Sequence, residues 1–345
     1  MNRLKVGVVG CGVVAQKRHI PALMKLRKNV TINAVCDLNE NLAKEVAKRF
    51  GIPHTYTKLS DMLSREDLDI VDVCTPPQTH TSVAIEAMER GCSVVLEKPM
   101  APSVKDCDNI IKASEKNGVK LSIVHNQRFY PSLLKAEQLV KEDNIGKLIG
   151  MRIIALTSKE DYMVHEKHWI HTLPGGVIGE TGPHVVYLSL AFLDNVRDVE
   201  AYAQKTLDFP WVLYDYYNIE LKGESISSSI IVSHASDCNL EEVDLLGTEG
   251  VIRIDLNSMI LIHYRKKDLK PTSLALSSLS AAGQIVKGIS SNVLSILFKK
   301  PMLGHDIFMK KFIDSILNNN PLPVTPEEGR ETIRVMEMIV KKLNR

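Results

Sequence analysis

Lysine, glutamate and histidine side chains occur in this chain at two places where their spacing could support proton transfer. Glu97, Lys98 and Pro99 follow a short apolar run, and Glu180 and His184 lie four residues apart. A spacing of four puts two side chains on one face of a helix. Histidine titrates near neutral pH, and lysine does so when burial or nearby positive charge lowers its pKa. These residues predict an acid–base site, against the alternatives of a solvated lysine and a core histidine paired with a buried acid.

A glycine-rich turn near the start of the chain predicts a nucleotide site. The segment 4–15 reads LKVGVVGCGVVA, an apolar run that breaks into the pattern G-x-G-x-x-A and continues as a helical pattern. In this pattern Gly10 permits the tight turn, Gly12 admits a pyrophosphate and Ala15 lets the helix pack on the strand. The N–H groups of the helix N-terminus then face the phosphates. An ordinary glycine turn is the alternative, but the flanking strand and helix favour a dinucleotide.

Asp37 bears on which nicotinamide cofactor binds. It ends a second apolar run, 31–36, where the adenosine ribose should lie. A carboxylate there accepts hydrogen bonds from the ribose hydroxyls of NAD and repels the 2′-phosphate of NADP. No arginine follows directly, so the sequence predicts NAD and disfavours NADP. The expected cofactor contacts in this part of the chain are Gly10, Gly12, Val13, Val14, Ala15, Asp37 and Leu38.

The first 125 residues alternate strand-like and helical patterns. This alternation predicts an α/β domain on a doubly wound parallel sheet, a Rossmann domain over residues 1–125. Ligands of such sheets lie beyond the carboxyl ends of the strands, which points here to 10–14, 37–38, 75–80 and 97–99. The predicted strands are 4–9, 31–36, 70–74, 93–96 and 120–124, and the predicted helices are 13–26, 39–50, 79–90 and 103–117.

Residues 126–345 predict a second domain. Consecutive strand patterns at short spacing indicate an α+β domain with an open, largely antiparallel or mixed sheet. The predicted strands are 148–157, 196–204, 212–221, 225–233, 239–246, 251–255 and 259–264, and the predicted helices are 132–142, 180–193, 306–318 and 326–343.

The segment 271–298 stands apart because Lys287 is its one charged residue. It is too polar to span a membrane. We expect one or two amphipathic helices that pack against the sheet, at a subunit interface or over the substrate pocket. Contact with a membrane surface is the remaining alternative.

Composition excludes several classes of partner. The net charge is +2 and no basic block occurs, so nothing indicates nucleic acid. The six cysteines form no C-x-x-C pair, which is typical of free thiols in a reducing compartment, and we expect a cytoplasmic protein. The first strand begins too early to leave room for a signal peptide. No window has the ~20 apolar residues of a membrane span.

His165, His168 and His171 form an H-x-x-H-x-x-H pattern that suggests zinc at first sight. No cysteine accompanies them, and Glu166 is the one nearby carboxylate. We therefore expect no metal and place these histidines at a pocket rim or on the surface. Arg128 and Tyr130, in the run NQRFYP, are expected to contact substrate, with an arginine packed on an aromatic ring as the alternative. Gln127 in the same run is expected on the cofactor side.

Four motifs together resemble the Gfo/Idh/MocA family of glucose–fructose oxidoreductases, inositol dehydrogenases and their relatives. They are GVVGCGVVA near the start, CTPPQTHTSVAIEAMERGCSVVLEKPMA at 74–101, GGVIGETGPH at 175–184 and the tail from GHDIFMKKF. The resemblance covers nearly the whole chain apart from about 265–302. It implies a Rossmann domain followed by an α/β domain whose open sheet commonly builds dimers and tetramers. It also implies NAD or NADP as cofactor, and hydride transfer at a ring carbon of a sugar, cyclitol or nucleotide sugar.

The resemblance also implies roles for individual residues. Trp169 matches a frequent tryptophan ahead of the double glycine, and His184 matches the active-site histidine. Glu180 stands where the family commonly has aspartate, so its carboxylate would reach a different place. Residues implied to border the nicotinamide half of the cofactor are Thr75, Pro76, His80, Glu97 and Lys98. Residues expected to bind substrate are Arg128, Tyr130, Trp169 and Glu180.

The resulting hypothesis is an NAD-dependent dehydrogenase acting on a sugar, cyclitol or nucleotide sugar. His184 would be the principal acid–base group and Lys98 would stabilise negative charge on the same oxygen, although the two roles could be exchanged. A non-catalytic nucleotide-binding sensor with this fold is the alternative, and a sensor needs neither residue. A related redox cycle with retained cofactor is a third alternative.

Overall fold

The computed structural model describes residues 3–158, 164–265, 268–298 and 303–344. The strands, in chain order, are β1 Leu4–Val9, β2 Val30–Cys36, β3 His54–Tyr56, β4 Ile70–Val73, β5 Ser93–Glu97, β6 Leu121–Val124, β7 Leu148–Ser158, β8 Asp198–Gln204, β9 Tyr216–Lys222, β10 Ser227–Ser236, β11 Leu240–Gly247, β12 Gly250–Asp255 and β13 Ile260–Arg265. The helices are α1 Ile20–Lys25, α2 Glu40–Phe50, α3 Leu59–Arg65, α4 His80–Glu89, α5 Val104–Asn117, α6 Pro131–Lys141, α7 Ile178–Leu190, α8 Pro271–Phe298, α9 Gly304–Asn318 and α10 Pro326–Leu343.

The chain divides into two compact units. The first comprises Met1–Asn126 with Gly304–Arg334, and the second comprises Gln127–Leu303 with Val335–Arg345. Each unit therefore combines a long segment with a shorter one from near the end of the chain.

A six-stranded sheet forms the centre of the first unit. Its order is β3-β2-β1-β4-β5-β6, and every pairing is parallel. The strand order reverses between β1 and β4, the position at which doubly wound sheets bind ligands. All four residues of β4 and of β6 are buried, as expected for strands covered by helices on both faces. The predicted doubly wound fold is confirmed.

Local signals in the sequence set the ends of several helices in this unit. The Asn39 side chain accepts a hydrogen bond from the backbone of Leu42 at the start of α2, and Gly51 ends that helix in a left-handed conformation. Before α10, Thr325 and Glu328 bond each other's backbone N–H groups in a capping box. Glycine and polar caps of this kind made the helix boundaries predictable.

A seven-stranded mixed sheet forms the second unit. Its order is β13-β12-β11-β7-β10-β9-β8, and β7 with β10 is the parallel pair in an otherwise antiparallel sheet. Alternate residues of β9 are buried, which turns Tyr217, Ile219 and Leu221 toward a core shared with α7. The predicted open, largely antiparallel sheet is confirmed.

The predicted strand 212–221 begins later than expected, at Tyr216. The cause is Asp215, a fully buried carboxylate that accepts hydrogen bonds from the backbone N–H groups of Thr206 and Leu207. These bonds hold residues 206–215 in a loop instead of extending the strand.

The low-charge segment forms one continuous helix, α8, against the edge strand β13. Gln284 both accepts from the backbone N–H of His263 and donates to its carbonyl oxygen. A Cβ on Gly288 would lie 3.2 Å from Ile260, so this face packs closely. In the described residues, no helix combines the length and the apolar character needed to cross a bilayer.

Candidate active site

The turn after β1 has the geometry that the glycine pattern predicts. Gly10 has a φ of +91°, and a Cβ on it would lie 2.6 Å from the carbonyl oxygen of Cys74. Both its conformation and its packing against the end of β4 therefore require glycine. A Cβ on exposed Gly12 would meet no described atom within 4 Å, so packing does not require this glycine. Its backbone is open to a ligand, as a pyrophosphate site needs.

Solvent exposure falls along the three residues that follow Gly12. Val13 is 69% exposed, Val14 is half-buried and Ala15 is fully buried. Ala15 is thus as buried as close packing of the helix on the strand would require. The neighbouring valines border the open side of the turn.

Asp37 is bound to the glycine turn. Its Oδ2 accepts a hydrogen bond of 2.8 Å from the backbone N–H of Cys11, and its Oδ1 accepts one of 2.8 Å from Asn39. These bonds hold the carboxylate at the end of β2, beside the turn. Leu38 next to it is 93% exposed. The arrangement fits the ribose half of a dinucleotide, because a fixed carboxylate beside a phosphate turn is what the ribose hydroxyls require.

The turn after β4 is tied to the turn after β5 by His80. Thr75 is half-buried and Pro76 is exposed, whereas His80 is fully buried. The ring nitrogens of His80 lie 2.9 Å from the carbonyl oxygen of Pro99 and 2.8 Å from that of Thr75. Burial lowers the pKa of His80, and a neutral ring donates to one of these two oxygens only. His80 thus links two turns at the carboxyl edge of the sheet, and its contact with a cofactor stays a prediction.

Lys98 lies at the carboxyl end of β5 between buried neighbours. Glu97 and Pro99 are buried and Lys98 is half-buried, and the Lys98–Pro99 peptide bond is cis. The backbone N–H of Lys98 donates a hydrogen bond of 2.9 Å to Oε2 of Glu97. The position of the lysine backbone therefore depends on how the glutamate is held.

Glu97 is held by a buried cluster that sequence reasoning missed. Its Oε1 accepts a hydrogen bond of 2.7 Å from Nε2 of His19 and lies 3.5 Å from Nε2 of His305. On its other side, Nδ1 of His19 lies 2.8 Å from Oδ1 of Asp72. Burial alone would raise the pKa of Glu97, but the hydrogen bonds from His19 and His305 hold it well below the usual range. The carboxylate is therefore ionised inside the protein.

In the second unit, α7 carries the GETGPH motif and lies mostly in the core. From Ile178 to Leu190, all residues are buried except Glu180, His184 and Leu190, which are half-buried. Glu180 and His184 are partly exposed on the same face of the helix, because they are four residues apart. Gly182 permits the close packing, because a Cβ on it would lie 2.6 Å from the methyl group of Met336.

His184 is held by a tyrosine on the next turn. Nδ1 of His184 lies 2.7 Å from the hydroxyl of Tyr187, and that hydroxyl accepts a 3.3 Å hydrogen bond from the backbone N–H of Gln127. The Gln127 side chain donates to a carboxylate oxygen of Glu241 at 2.9 Å. Burial raises the pKa of Glu241. Gln127 is thus buried in a polar network of the second unit, and its predicted contact with the cofactor remains untested.

The other predicted substrate residues lie in the same unit. Trp169 begins a short 3-10 turn, is half-buried and packs against the apolar group of Ile170, Leu173, Val177 and Val212. Tyr130, at the start of α6, is half-buried against the main core. Arg128 is half-buried in the turn Asn126–Phe129.

One histidine of the H-x-x-H-x-x-H pattern, His168, lies beside Trp169. The ring of His168 is 5.3 Å from that of Trp169, and His165 is exposed. Burial, with His171 and His165 nearby, lowers the pKa of His168. Among the described side chains, ligating atoms converge elsewhere, in the groups His19–Asp72–Cys74 and His19–Glu97–His305.

Comparison with known proteins identifies the family. Residues 4–125 match the oxidoreductase family with an NAD-binding Rossmann fold, and residues 133–253 match the GFO/IDH/MocA C-terminal domain. The chain belongs to the Gfo/Idh/MocA oxidoreductase family, and its first unit is an NAD-binding Rossmann fold.

Individual relatives are distant but extend over much of the chain. Oxidoreductase P35 of Formosa agariphila is 28% identical over 58% of this chain and 63% of its own length. The scyllo-inositol 2-dehydrogenase (NADP(+)) IolW of Bacillus subtilis is 22% identical over 98% of this chain and 93% of its own. Among solved structures, the WlbA dehydrogenase of Bordetella pertussis, in complex with NADH and UDP-GlcNAcA, is 20% identical with a TM-score of 0.83, and the match covers 99% and 96% of the two chains. These similarities agree with the fold described above.

Proposed function

We propose that this protein is an NAD-dependent oxidoreductase that transfers a hydride between the nicotinamide and a hydroxyl or keto carbon of a sugar, cyclitol or nucleotide sugar. The observation that carries the proposal is the exposure pattern of α7. This helix is buried along its length, yet it presents a carboxylate and an imidazole, Glu180 and His184, on one partly open face. A helix that served only the core would have apolar residues there.

The cofactor would be held by the first unit. The backbone around Gly12 would receive the pyrophosphate and Asp37 the ribose hydroxyls, with Thr75, Pro76 and His80 toward the nicotinamide half. When bound, NAD supplies the hydride acceptor. The fixed carboxylate of Asp37 supports NAD over NADP, because a 2′-phosphate would meet its negative charge.

Residues of this chain would accept the proton of the substrate hydroxyl. His184 would take the proton of the substrate hydroxyl, because an imidazole titrates near working pH. We assign this role to Nε2, since Tyr187 engages Nδ1. Lys98 would donate a hydrogen bond to the same substrate oxygen and stabilise the negative charge that develops there. Glu97 fixes the backbone from which Lys98 extends.

The substrate class follows from the names of the relatives and from the polar character of the proposed pocket residues. IolW is named for a cyclitol, and the WlbA structure holds a nucleotide sugar. Trp169 would stack on a sugar ring, and Glu180, Arg128 and Tyr130 would bond hydroxyl groups.

We also propose a homodimer or homotetramer in the cytoplasm. The outward side of α8 is an apolar stripe at spacings of three, four and seven residues, which supports a subunit contact. Its members with their exposed fractions are Leu276 68%, Leu279 69%, Val286 62%, Val293 47% and Leu297 69%. All six cysteines are free and five are buried, which supports a reducing compartment.

The proposal is tested by incubating purified protein with NAD and a panel of sugars, cyclitols and nucleotide sugars while following the absorbance of reduced nicotinamide. NAD binding with turnover of at least one panel member supports the enzyme. NAD binding without turnover of any alcohol in the presence of NAD, or of any keto form in the presence of NADH, supports the sensor.

A further inference from the structure

His19 occupies an unusual position in the first helix. Residues Ala15–His19 form a π-helical turn between the glycine loop and α1. Such turns shift the direction of side chains and occur frequently at functional sites. Here the shift accompanies a histidine that is fully buried under the ends of β4 and β5. A polar side chain at such a place needs specific partners.

Both ring nitrogens of His19 face carboxylates. Nδ1 lies 2.8 and 3.1 Å from the two oxygens of Asp72, and Nε2 lies 2.7 Å from Oε1 of Glu97. An ionised carboxylate only accepts hydrogen bonds, so each ring nitrogen has to carry a proton to satisfy these contacts. A ring protonated on both nitrogens is an imidazolium.

The second carboxylate, that of Glu97, is also hydrogen-bonded to the backbone of Lys98, the proposed active-site lysine. Oε1 of Glu97 is bonded by His19, and Oε2 accepts the backbone N–H of Lys98. The chain of contacts therefore runs Asp72, His19, Glu97, Lys98, with every side chain before the lysine buried.

We propose that His19 is a constitutively protonated positioning residue, which with Asp72 holds Glu97 and thereby sets the position of Lys98. The proposal rests on the proposed function insofar as Lys98 acts on substrate. The imidazolium also offsets the charge of two buried carboxylates, which would otherwise be costly to keep ionised.

The surrounding titratable groups support this state. Burial alone would lower the pKa of His19, but the charge and hydrogen bond of Asp72 hold it well above the usual value. Burial raises the pKa of Cys74 to about 12, so this neighbour of Asp72 stays a thiol. From α9, burial lowers the pKa of His305, with Arg18 acting in the same direction. His305 is therefore the neutral histidine of the pair.

A divalent metal at His19, Glu97 and His305 is the competing arrangement. Zinc needs a deprotonated nitrogen and ligand atoms about 2.0 Å from the metal. Two ligands of one tetrahedral ion then lie more than 3 Å apart, whereas Nε2 of His19 is 2.7 Å from Oε1 of Glu97. That distance is a hydrogen bond.

The protonation state can be measured without an activity assay. We would label the histidine rings with ¹⁵N in the full-length protein and assign His19 as the signal lost in His19→Gln, with exposed His54→Gln as the matched control. The expected result is an imidazolium pattern for His19 that persists at pH 8, where the exposed rings are neutral. A neutral tautomer at pH 8, or stoichiometric zinc in the purified protein, would overturn the proposal.

Kinetics then test the positioning role. His19→Gln and Asp72→Asn should lower kcat about tenfold or more, with KM and NAD affinity within a few-fold, because they disturb Lys98 and not the binding surfaces. The effects of His19→Gln and Lys98→Ala should be far from additive. Unchanged kcat in folded His19→Gln would refute positioning. Unchanged kcat in Lys98→Ala would refute the role proposed for Lys98, while absence of turnover in the wild type would refute the proposed function; either result would leave the protonation measurement standing.

Discussion

The hydroxyl of Tyr187 lies 2.7 Å from Nδ1 of His184, one turn earlier on the same helix. Tyr187 is 1% exposed and its hydroxyl also accepts the backbone N–H of Gln127, so the imidazole is anchored to the core. An imidazole ring held in one orientation is already placed for proton transfer and does not have to be ordered when substrate binds.

Tyr187→Phe should therefore lower kcat about tenfold, since the loss of one hydrogen bond of about 1–1.5 kcal/mol loosens the ring. NAD affinity should not change. Steady-state kinetics measure the first effect and calorimetric titration the second.

Tyr217→Phe is the matched control. Tyr217 is buried in the same core, but its hydroxyl donates to the carbonyl oxygen of Tyr214. A comparable fall of kcat in both variants would show general core damage and contradict the assigned role of Tyr187.

Lys98→Ala and His184→Ala should each reduce turnover by about 10²-fold or more, the scale of a lost acid–base group. NAD affinity should stay within a few-fold of the wild type. Exposed Lys105→Ala and His54→Ala serve as matched controls and should keep full turnover. Near-normal turnover in both Lys98→Ala and His184→Ala would eliminate this site.

Asp37→Ser should narrow the preference for NAD over NADP, because it removes the charge that repels a 2′-phosphate. Asp37→Asn removes the same charge and keeps the shape of the side chain, so it separates charge from packing. Fluorescence titration with both cofactors gives the ratio of affinities. Wild-type protein that binds NADP as tightly as NAD would refute the assignment.

The buried group of His19, Asp72 and Glu97 should make the stability of the folded protein depend on pH in a defined direction. The pKa of His19 is raised in the folded protein, so its stabilisation is complete below the unfolded value of about 6.5 and is lost as pH rises through the folded value. The difference in thermal midpoint between wild type and His19→Gln should therefore shrink from pH 7 to pH 9. A difference that widens over this range would contradict an imidazolium.

The apolar stripe of α8 should form a subunit contact. Val286→Asp places a charge in its middle and should reduce the molar mass in solution, measured by light scattering. Leu213→Asp, at another exposed apolar residue outside α8, is the control. A wild-type monomer, or an unchanged mass in Val286→Asp, would rule the contact out.

Much of the first unit was predictable because buried parallel strands leave continuous apolar runs between glycines and polar turns. β1 was predicted with both ends correct, whereas β3 and α3 were not predicted. β3 has three residues, none of them buried, so it leaves no hydrophobic pattern. The start of α10 was predictable from Pro326 and its first-turn glutamates.

The proposed acid–base residues were readable from motifs, but the groups that hold them were not. His19 follows Lys17 and Arg18 and resembles a polar surface position on a regular helix. It is buried at the end of a π-helical turn, which hydrophobic periodicity does not predict. His305 reaches the cluster from a segment more than 200 residues further along the chain. Tyr187 could have been noticed three residues after His184, although only the structure shows its hydroxyl at the ring.

The most direct test of the central claim is the fate of the hydrogen on the reacting carbon. A substrate found in the panel, deuterated at that carbon, should transfer its deuterium to NAD, so that mass spectrometry finds the label in the reduced cofactor. Transfer that is complete in the wild type and slowed about 10²-fold in His184→Ala is the predicted result. Deuterium that is released to water, with none in the cofactor, would contradict hydride transfer.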